Sequence, residues 1–315
     1  MENKKGIKML LFIKKNLENE SFSIKEAECL MLMLRKNYKI ENYRRYLLIE
    51  TDALNEKEIE FLKKRIAYNK EVGIVLMKDD DVYHLPHYPI RVLPCKNIKR
   101  VLEILDKRGF ILDIKATTFA KCYKDIVYEL IKEVREKEFL DRDTKNKPGF
   151  MPFSLHPRLS KALYNLAMVK DDDVVLDSFC GVAGTIIEGE LIGIRGICLE
   201  KYKKVCEKAY VNLKYYLNSV NNLVLGDATC MPFKEKMFDA IISDLPYGRA
   251  TKLENREELY TKFFNEMCRV VKKGKRVVVL TDISDLEKRY KIDVEYKTSF
   301  YVHKSLTRWL YVIIC

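Results

Sequence analysis

Glutamine is absent from the 315-residue chain, tryptophan occurs once and histidine four times. Missing glutamine points to a hot habitat, where thermolabile amides are depleted. The histidines are not spaced as a zinc site requires, and no CxxC pair occurs among the nine cysteines, so no metal is expected. Those cysteines are dispersed and odd in number, which reads as small core residues and not as a disulfide framework. No uncharged apolar run approaches the ~20 residues of a membrane span. The N-terminal MENKKGIKMLLFIKKNLENE has a short apolar core broken by lysines and no small-residue cleavage site. A signal peptide is therefore not expected, and a cytoplasmic location is.

What is abundant is positive charge. The formal net charge is +12, with 32 basic against 25 acidic residues in 1–150 and 26 against 21 in 151–315. An excess spread over both halves suits a chain that follows a polyanion along its length. Lysine-rich codon usage would give the same count.

From residue 174 onward, apolar strand-like runs alternate with amphipathic helical segments. DVVLDSF, IRGICLE, NNLVLGDA, FDAIISDLPYG and KRVVVLTD read as strands, and TIIEGELIG, KYKKVCEKAYVNLKYYL and REELYTKFFNEMCRVVKK read as helices. Such alternation specifies a doubly wound, largely parallel α/β sheet. The terminal runs DVEYKTSFYVH and LTRWLYVII are separated by too few residues for a crossover, which specifies an antiparallel hairpin. The first half reads as one or two small α+β domains, with helices over FSIKEAECLMLML, NEKEIEFLKKRIAY, NIKRVLEILDKR and FAKCYKDIVYELIKEVREK. Strands are expected at YRRYLLIET, VGIVLMK and FILDIKAT, and a linker at DRDTKNKPGFMPFS.

Four successive strands of the second half end in an acid: Asp177, Glu200, Asp227 and Asp244. In a parallel sheet these fall on the carboxyl edge, where ligands bind. VVLDSFCGVAGTIIE carries small residues between a strand and a helix, so backbone N–H groups can approach a ligand closely. It lacks the GxGxxG of a dinucleotide turn. Its D-x-x-x-G-x-x-G spacing resembles the S-adenosylmethionine loop of class I methyltransferases, although a packed βα turn would look alike. SDLPYG, residues 243–248, resembles the [D/N]-P-P-[Y/F] motif of enzymes that methylate an exocyclic amino group. That chemistry needs two acceptors on the amino hydrogens, a stiff loop and an aromatic ring against the base.

The order of FMPFSLHPRLSKALYNLA, LDSFCGVAGTIIEGELIG, SDLPYG, REELYTKFFNEMCRVVKKG and VHKSLTRWLYVI resembles the archaeal tRNA guanosine-N2-methyltransferases that act at position 10. The resemblance is dense over residues 148–315 and weak before. It implies a ferredoxin-like and THUMP RNA-binding region over 1–145. Over 146–315 it implies a Rossmann-fold, class I methyltransferase domain with a seven-stranded sheet in the order 3-2-1-4-5-7-6. The implied cofactor is S-adenosylmethionine, with Asp177, Phe179, Gly181 and Gly184 at its methionine end, Glu200 at its ribose and Asp227 at its adenine. Thr185 and Ala228 are further implied cofactor-binding residues. Asp244, the Leu245 carbonyl, Pro246 and Tyr247 would hold the guanine amino group. The implied partner is tRNA, bound by a monomer, and the product is mono- or dimethylated. His156 reads as a packed or capping residue in preference to a general base. His303, Lys304 and Arg308 form a candidate phosphate-contacting set.

Two residues depart from the pattern. Ala183 stands where the loop usually has a glycine, and its methyl group calls for a negative φ. Leu245 stands where the tetrapeptide has its first proline, which keeps the carbonyl and adds an N–H. Other guanosines of tRNA (position 6, for example) or rRNA, adenine N6 of DNA, and a non-catalytic RNA-binding role remain the alternatives.

Overall fold

The computed structural model describes residues 8–246, 256–303 and 306–315, without the side chain of His303. Two units divide the chain, Met1–Arg135 and Glu136–Cys315. Among the described residues no helix is long and apolar enough to cross a membrane.

The first unit is built from β1 (Lys8–Lys14), α1 (Glu20–Met33), β2 (Tyr38–Asn42), β3 (Tyr46–Asp52), α2 (Glu56–Arg65), β4 (Glu71–Lys78), β5 (Asp81–Val82), β6 (Arg91–Val92), α3 (Ile98–Lys107), β7 (Phe119–Tyr123) and β8 (Ile126–Glu133). Its sheet runs β2-β3-β1-β4-β8-β7-β6, with β5 paired to β4. Both leading helices start on asparagine. Asn19 accepts the Phe22 N–H at 2.9 Å, and Asn55 forms a capping box with Glu58. Glu26 of α1 is fully buried, and its carboxylate accepts the N–H groups of Ala67, Tyr68 and Asn69, fixing the turn that leads into β4.

The sequence reading assigned no element to the N-terminal stretch, and two of its expectations for this unit fail. The lysine-broken apolar stretch near the N-terminus is β1, which pairs with both β3 and β4. No strand forms over FILDIKAT. The segment read as one helix over FAKCYKDIVYELIKEVREK is instead the antiparallel pair β7 and β8, turning at Lys124 with φ of 57°. Its aromatic and β-branched residues fit a pleated surface, and pairing with β4 decides the matter.

In the second unit follow α4 (Pro157–Leu166), β9 (Val174–Asp177), α5 (Gly184–Leu191), β10 (Arg195–Glu200), α6 (Lys203–Leu217), β11 (Leu223–Leu225) and β12 (Ala240–Asp244). After these come α7 (Arg256–Val270), β13 (Arg276–Thr281), α8 (Leu286–Tyr290), β14 (Val294–His303) and β15 (Leu306–Ile314). The sheet order is β11-β10-β9-β12-β13-β15-β14, with β15 antiparallel to both β13 and β14 and the other pairs parallel. This is the expected 3-2-1-4-5-7-6 order of a class I methyltransferase sheet. Its middle strands are buried on both faces, as Val175, Leu176, Ile241, Ile242 and Val277 to Leu280 show. The polar stretch read as a linker belongs to this unit. Gly149 donates its N–H to Asn212 Oδ1 of α6 at 2.7 Å, and Lys147 is buried.

Candidate active site

β9, β10, β11 and β12 lie side by side, so the residues ending them converge on one edge. Asp177, Glu200, Asp227 and Asp244 all line a cleft of 1260 Å³ there. Phe179, Gly181, Gly184, Thr185 and Ala228 line the same cleft, as do Leu245 and Pro246. Tyr247 lies outside the described residues. The sequence therefore named much of this wall, and chain topology explains why it could: each residue follows a strand of one parallel sheet.

Asp177 is 2 % exposed. Its Oδ1 accepts the Phe179 N–H at 3.2 Å and the Ser243 hydroxyl at 3.0 Å. Burial pushes its carboxyl up to about 7, with the neighbouring Asp244 charge acting in the same direction against the Ser243 and Phe179 hydrogen bonds. Ser243 Oγ also accepts the Ser178 N–H at 2.8 Å. The serine of SDLPYG thereby ties the end of β12 to the end of β9.

The loop after β9 turns through Gly181 at φ 56°, where no heavy atom comes within 4 Å of a Cβ built on it. Ala183 adopts φ 65°, which reverses the expectation of a negative angle. This left-handed conformation costs an alanine about 1–2 kcal/mol. Two hydrogen bonds offset that cost: the Ala183 N–H donates to the Cys180 carbonyl at 3.0 Å, and its own carbonyl accepts the Ile187 N–H at 3.0 Å to open α5. A disulfide between Cys180 and Cys198 joins the loop to β10, contrary to the reading of unpaired thiols. Neither cysteine advertised this, because the two meet only once β10 lies beside β9.

Glu200 takes one hydrogen bond on each oxygen, from the Gly181 N–H at 3.0 Å and the Tyr202 N–H at 2.9 Å. Its remaining lone pairs can accept two hydroxyls. Asp227 accepts both the N–H and the hydroxyl of Thr229 and pairs with Lys201 at 2.7 Å. Burial raises the Asp227 carboxyl, but Lys201 and Thr229 outweigh it and hold the group below the usual carboxylate range.

At the other end of the cleft, Arg308 Nη2 of β15 stands 3.6 Å from Asp244 Oδ2. That places Arg308 against the carboxylate; the side chains of His303 and Lys304, the other members of the candidate phosphate-contacting set, lie outside the described residues. The Leu245 N–H donates to the Leu280 carbonyl at 2.9 Å, so the N–H gained by replacing proline is used inside the sheet. His156 caps α4, its Nδ1 accepting the Arg158 N–H at 3.2 Å, and does not line the cleft. The sequence reading missed Met151, Phe153 and Leu155, which form an apolar wall of the cleft.

A family model described as "RMKL-like, methyltransferase domain" (UPF0020) matches residues 145–309, more than half of the chain. The chain belongs to that family. The methyltransferase is also 31% identical to a tRNA (guanine(10)-N2)-dimethyltransferase of Methanothermobacter thermautotrophicus, over 81% of this chain and 84% of that one. Its identity to the tRNA (guanine(10)-N2)-dimethyltransferase of Pyrococcus abyssi is 29%, over 91% and 95% of the two chains. Among solved structures, TrmN from Thermus thermophilus superposes with a TM-score of 0.51 at 18% identity, covering 97% of this chain and 99% of the other. SMU.472, a putative methyltransferase complexed with SAH, gives 0.51 at 14% identity and 98% of each chain. Both likenesses concern the fold.

The residues fit S-adenosylmethionine, the methyl donor of the family. The open space at Gly181 lets backbone meet a ligand, and acids of different depth line one elongated cleft. The buried Lys147 Nζ beside Gly184 has no hydrogen-bond partner, as a group awaiting an anion would.

Proposed function

We propose that this methyltransferase modifies N2 of a guanosine in tRNA, the nucleoside at position 10. The placement of Asp244 carries the reading: it stands at the end of β12 beside Leu245 and Pro246 on the cleft wall, in a chain similar to guanine(10)-N2 enzymes over 91% of its length.

An exocyclic amino nitrogen is a poor nucleophile because its lone pair is delocalised into the ring. The Asp244 carboxylate and the Leu245 carbonyl can accept its two N–H bonds, favouring pyramidal nitrogen and exposing the lone pair. Arg308 holds one oxygen of Asp244 and so orients the carboxylate. Transfer makes the nitrogen acidic, and Asp244 is placed to take its proton. S-adenosylmethionine supplies an electrophilic methyl group on a sulfonium. Asp177, Phe179, Gly181, Gly184 and Thr185 would hold its methionine end, Glu200 its ribose, and Asp227 and Ala228 its adenine. Met151, Phe153 and Leu155 give one wall of the cleft an apolar surface. A guanosine in a folded tRNA must be extruded to reach the cleft, and Tyr247 is the aromatic residue the sequence offers for stacking.

Residues 1–145 serve in this proposal as the ferredoxin-like and THUMP RNA-binding region and 146–315 as the methyltransferase domain, working as a monomer in the cytoplasm. The net charge of +12 supports tRNA as the partner. The test is methyl incorporation into tRNA transcripts that carry guanosine or adenosine at position 10. Incorporation only into the guanosine transcript is expected, and equal incorporation into both would refute the position.

A further inference from the structure

Lys147 is 4 % exposed, and its Nζ has no hydrogen-bond partner. Burying an ammonium group without a partner is costly, so the position needs a reason. The acids around it are otherwise engaged: Glu188 is bound by Arg142 at 2.6 Å, and Asp143 accepts the Thr144 N–H at 2.8 Å. Burial holds the amine below the usual lysine range, although Glu188 and Asp143 pull the other way.

Nζ lies 2.7 Å from where a Cβ on Gly184 would stand. Gly184 is the first residue of the eight-residue helix α5, and it lines the cleft. That helix starts without a side-chain cap, and its first turn contains no acid. Its leading N–H groups and the positive end of its dipole are therefore not answered by a side chain. A buried lysine beside an uncapped helix start places two positive features together, which is unfavourable until an anion arrives. The segment carrying Lys147 is also held to the loop. Asn212, fully buried in α6, accepts the Gly149 N–H at 2.7 Å and donates to the carbonyls of Gly149 at 3.1 Å and Val182 at 3.0 Å.

We propose that Lys147 Nζ and the leading amides of α5 form the subsite for the carboxylate at the methionine end of the cofactor. The inference rests on reading the cleft as the S-adenosylmethionine site. An amino-acid end is zwitterionic and needs both a cation and an anion. Lys147 answers the carboxylate, and Asp177, which lines the same cleft, answers the ammonium. A side chain at Gly184 would displace Nζ from this position.

The test compares two probes by calorimetry on the full chain: S-adenosylhomocysteine, which has the amino-acid end, and 5′-methylthioadenosine, which lacks it. Lys147→Met should weaken S-adenosylhomocysteine about tenfold or more, the scale of one charge-assisted hydrogen bond, and leave methylthioadenosine unchanged. An equal loss for both probes, or no loss for either, would overturn the subsite. If the variant does not fold, the native chain is titrated with S-adenosylhomocysteine and its neutral carboxamide. Weaker carboxamide binding supports the subsite, and equal binding overturns it. Native protein that binds neither probe would instead remove the cofactor reading, and the subsite with it.

Discussion

Tyr260 of α7 donates its hydroxyl to the Pro246 carbonyl at 3.0 Å and lies 3.3 Å from Thr281 Oγ1. Of the two consecutive carbonyls of Leu245 and Pro246, the second is thus held by the protein core, and the first is the one that the proposed mechanism assigns to the substrate amino group. Tyr260 is fully buried with its ring against Phe264 and Tyr290, so this support is rigid.

Tyr260→Phe keeps the ring and removes the donor. It should cost about 1 kcal/mol of stability, the worth of one hydrogen bond, and lower kcat several-fold with the affinity for S-adenosylhomocysteine intact. Steady-state kinetics alongside calorimetry check this, and a matching loss of cofactor affinity would show that the tyrosine supports the whole cleft instead.

Asp244→Ala removes the acceptor itself. Turnover should fall ~10²-fold or more while cofactor binding changes little, because the interaction is made with the reacting amino group. Near-native turnover in single-turnover assays would leave the carboxylate a structural role only.

Asp177 makes the fold sensitive to pH. Its folded carboxyl titrates at about 7 against 3.8 for the ordinary group, so between those values the folded form holds a proton the unfolded form has lost. Stability from this group is present at low pH and declines as pH rises toward 7. Asp177→Asn should therefore raise the Tm of the cofactor-free protein relative to the native chain more at pH 8 than at pH 5. The same variant should bind S-adenosylhomocysteine more weakly. A Tm difference independent of pH would contradict the assignment.

The Cys180–Cys198 disulfide closes a loop with a sequence separation of 18 residues. Replacing both cysteines by alanine should lower unfolding stability by about 3 kcal/mol, read from denaturant titration under non-reducing conditions. Unchanged stability would mean that the Cys180 N–H to Leu199 carbonyl bond and its neighbours already hold the loop.

The second unit was legible because its parallel strands are compact apolar runs, four of which lead into an acid, and most are followed by a helical pattern. Asp177, Glu200, Asp227 and Asp244 needed only that alternation to be placed on one edge. The first unit was harder. In the segment of β7 and β8, tyrosines, valine and isoleucines satisfy helical and strand spacing alike, and the turn uses Lys124 and Asp125 instead of glycine or asparagine. Features that depend on contact between distant segments left no local trace. Ser243 bridging to Asp177, Asn212 clasping Gly149, and Lys147 seated beside Gly184 exist only because the sheet brings those segments together. Leu245 shows the reverse case, since its departure from the motif is explained once its N–H is seen bonded to Leu280.

The central claim concerns which atom receives the methyl group. Unmodified tRNA would be incubated with the purified protein and S-adenosylmethionine, digested to nucleosides and analysed by mass spectrometry against standards. The account predicts N2-methylguanosine or N2,N2-dimethylguanosine, arising from position 10. Methylation on adenosine, on cytidine or on another atom of guanosine would contradict it.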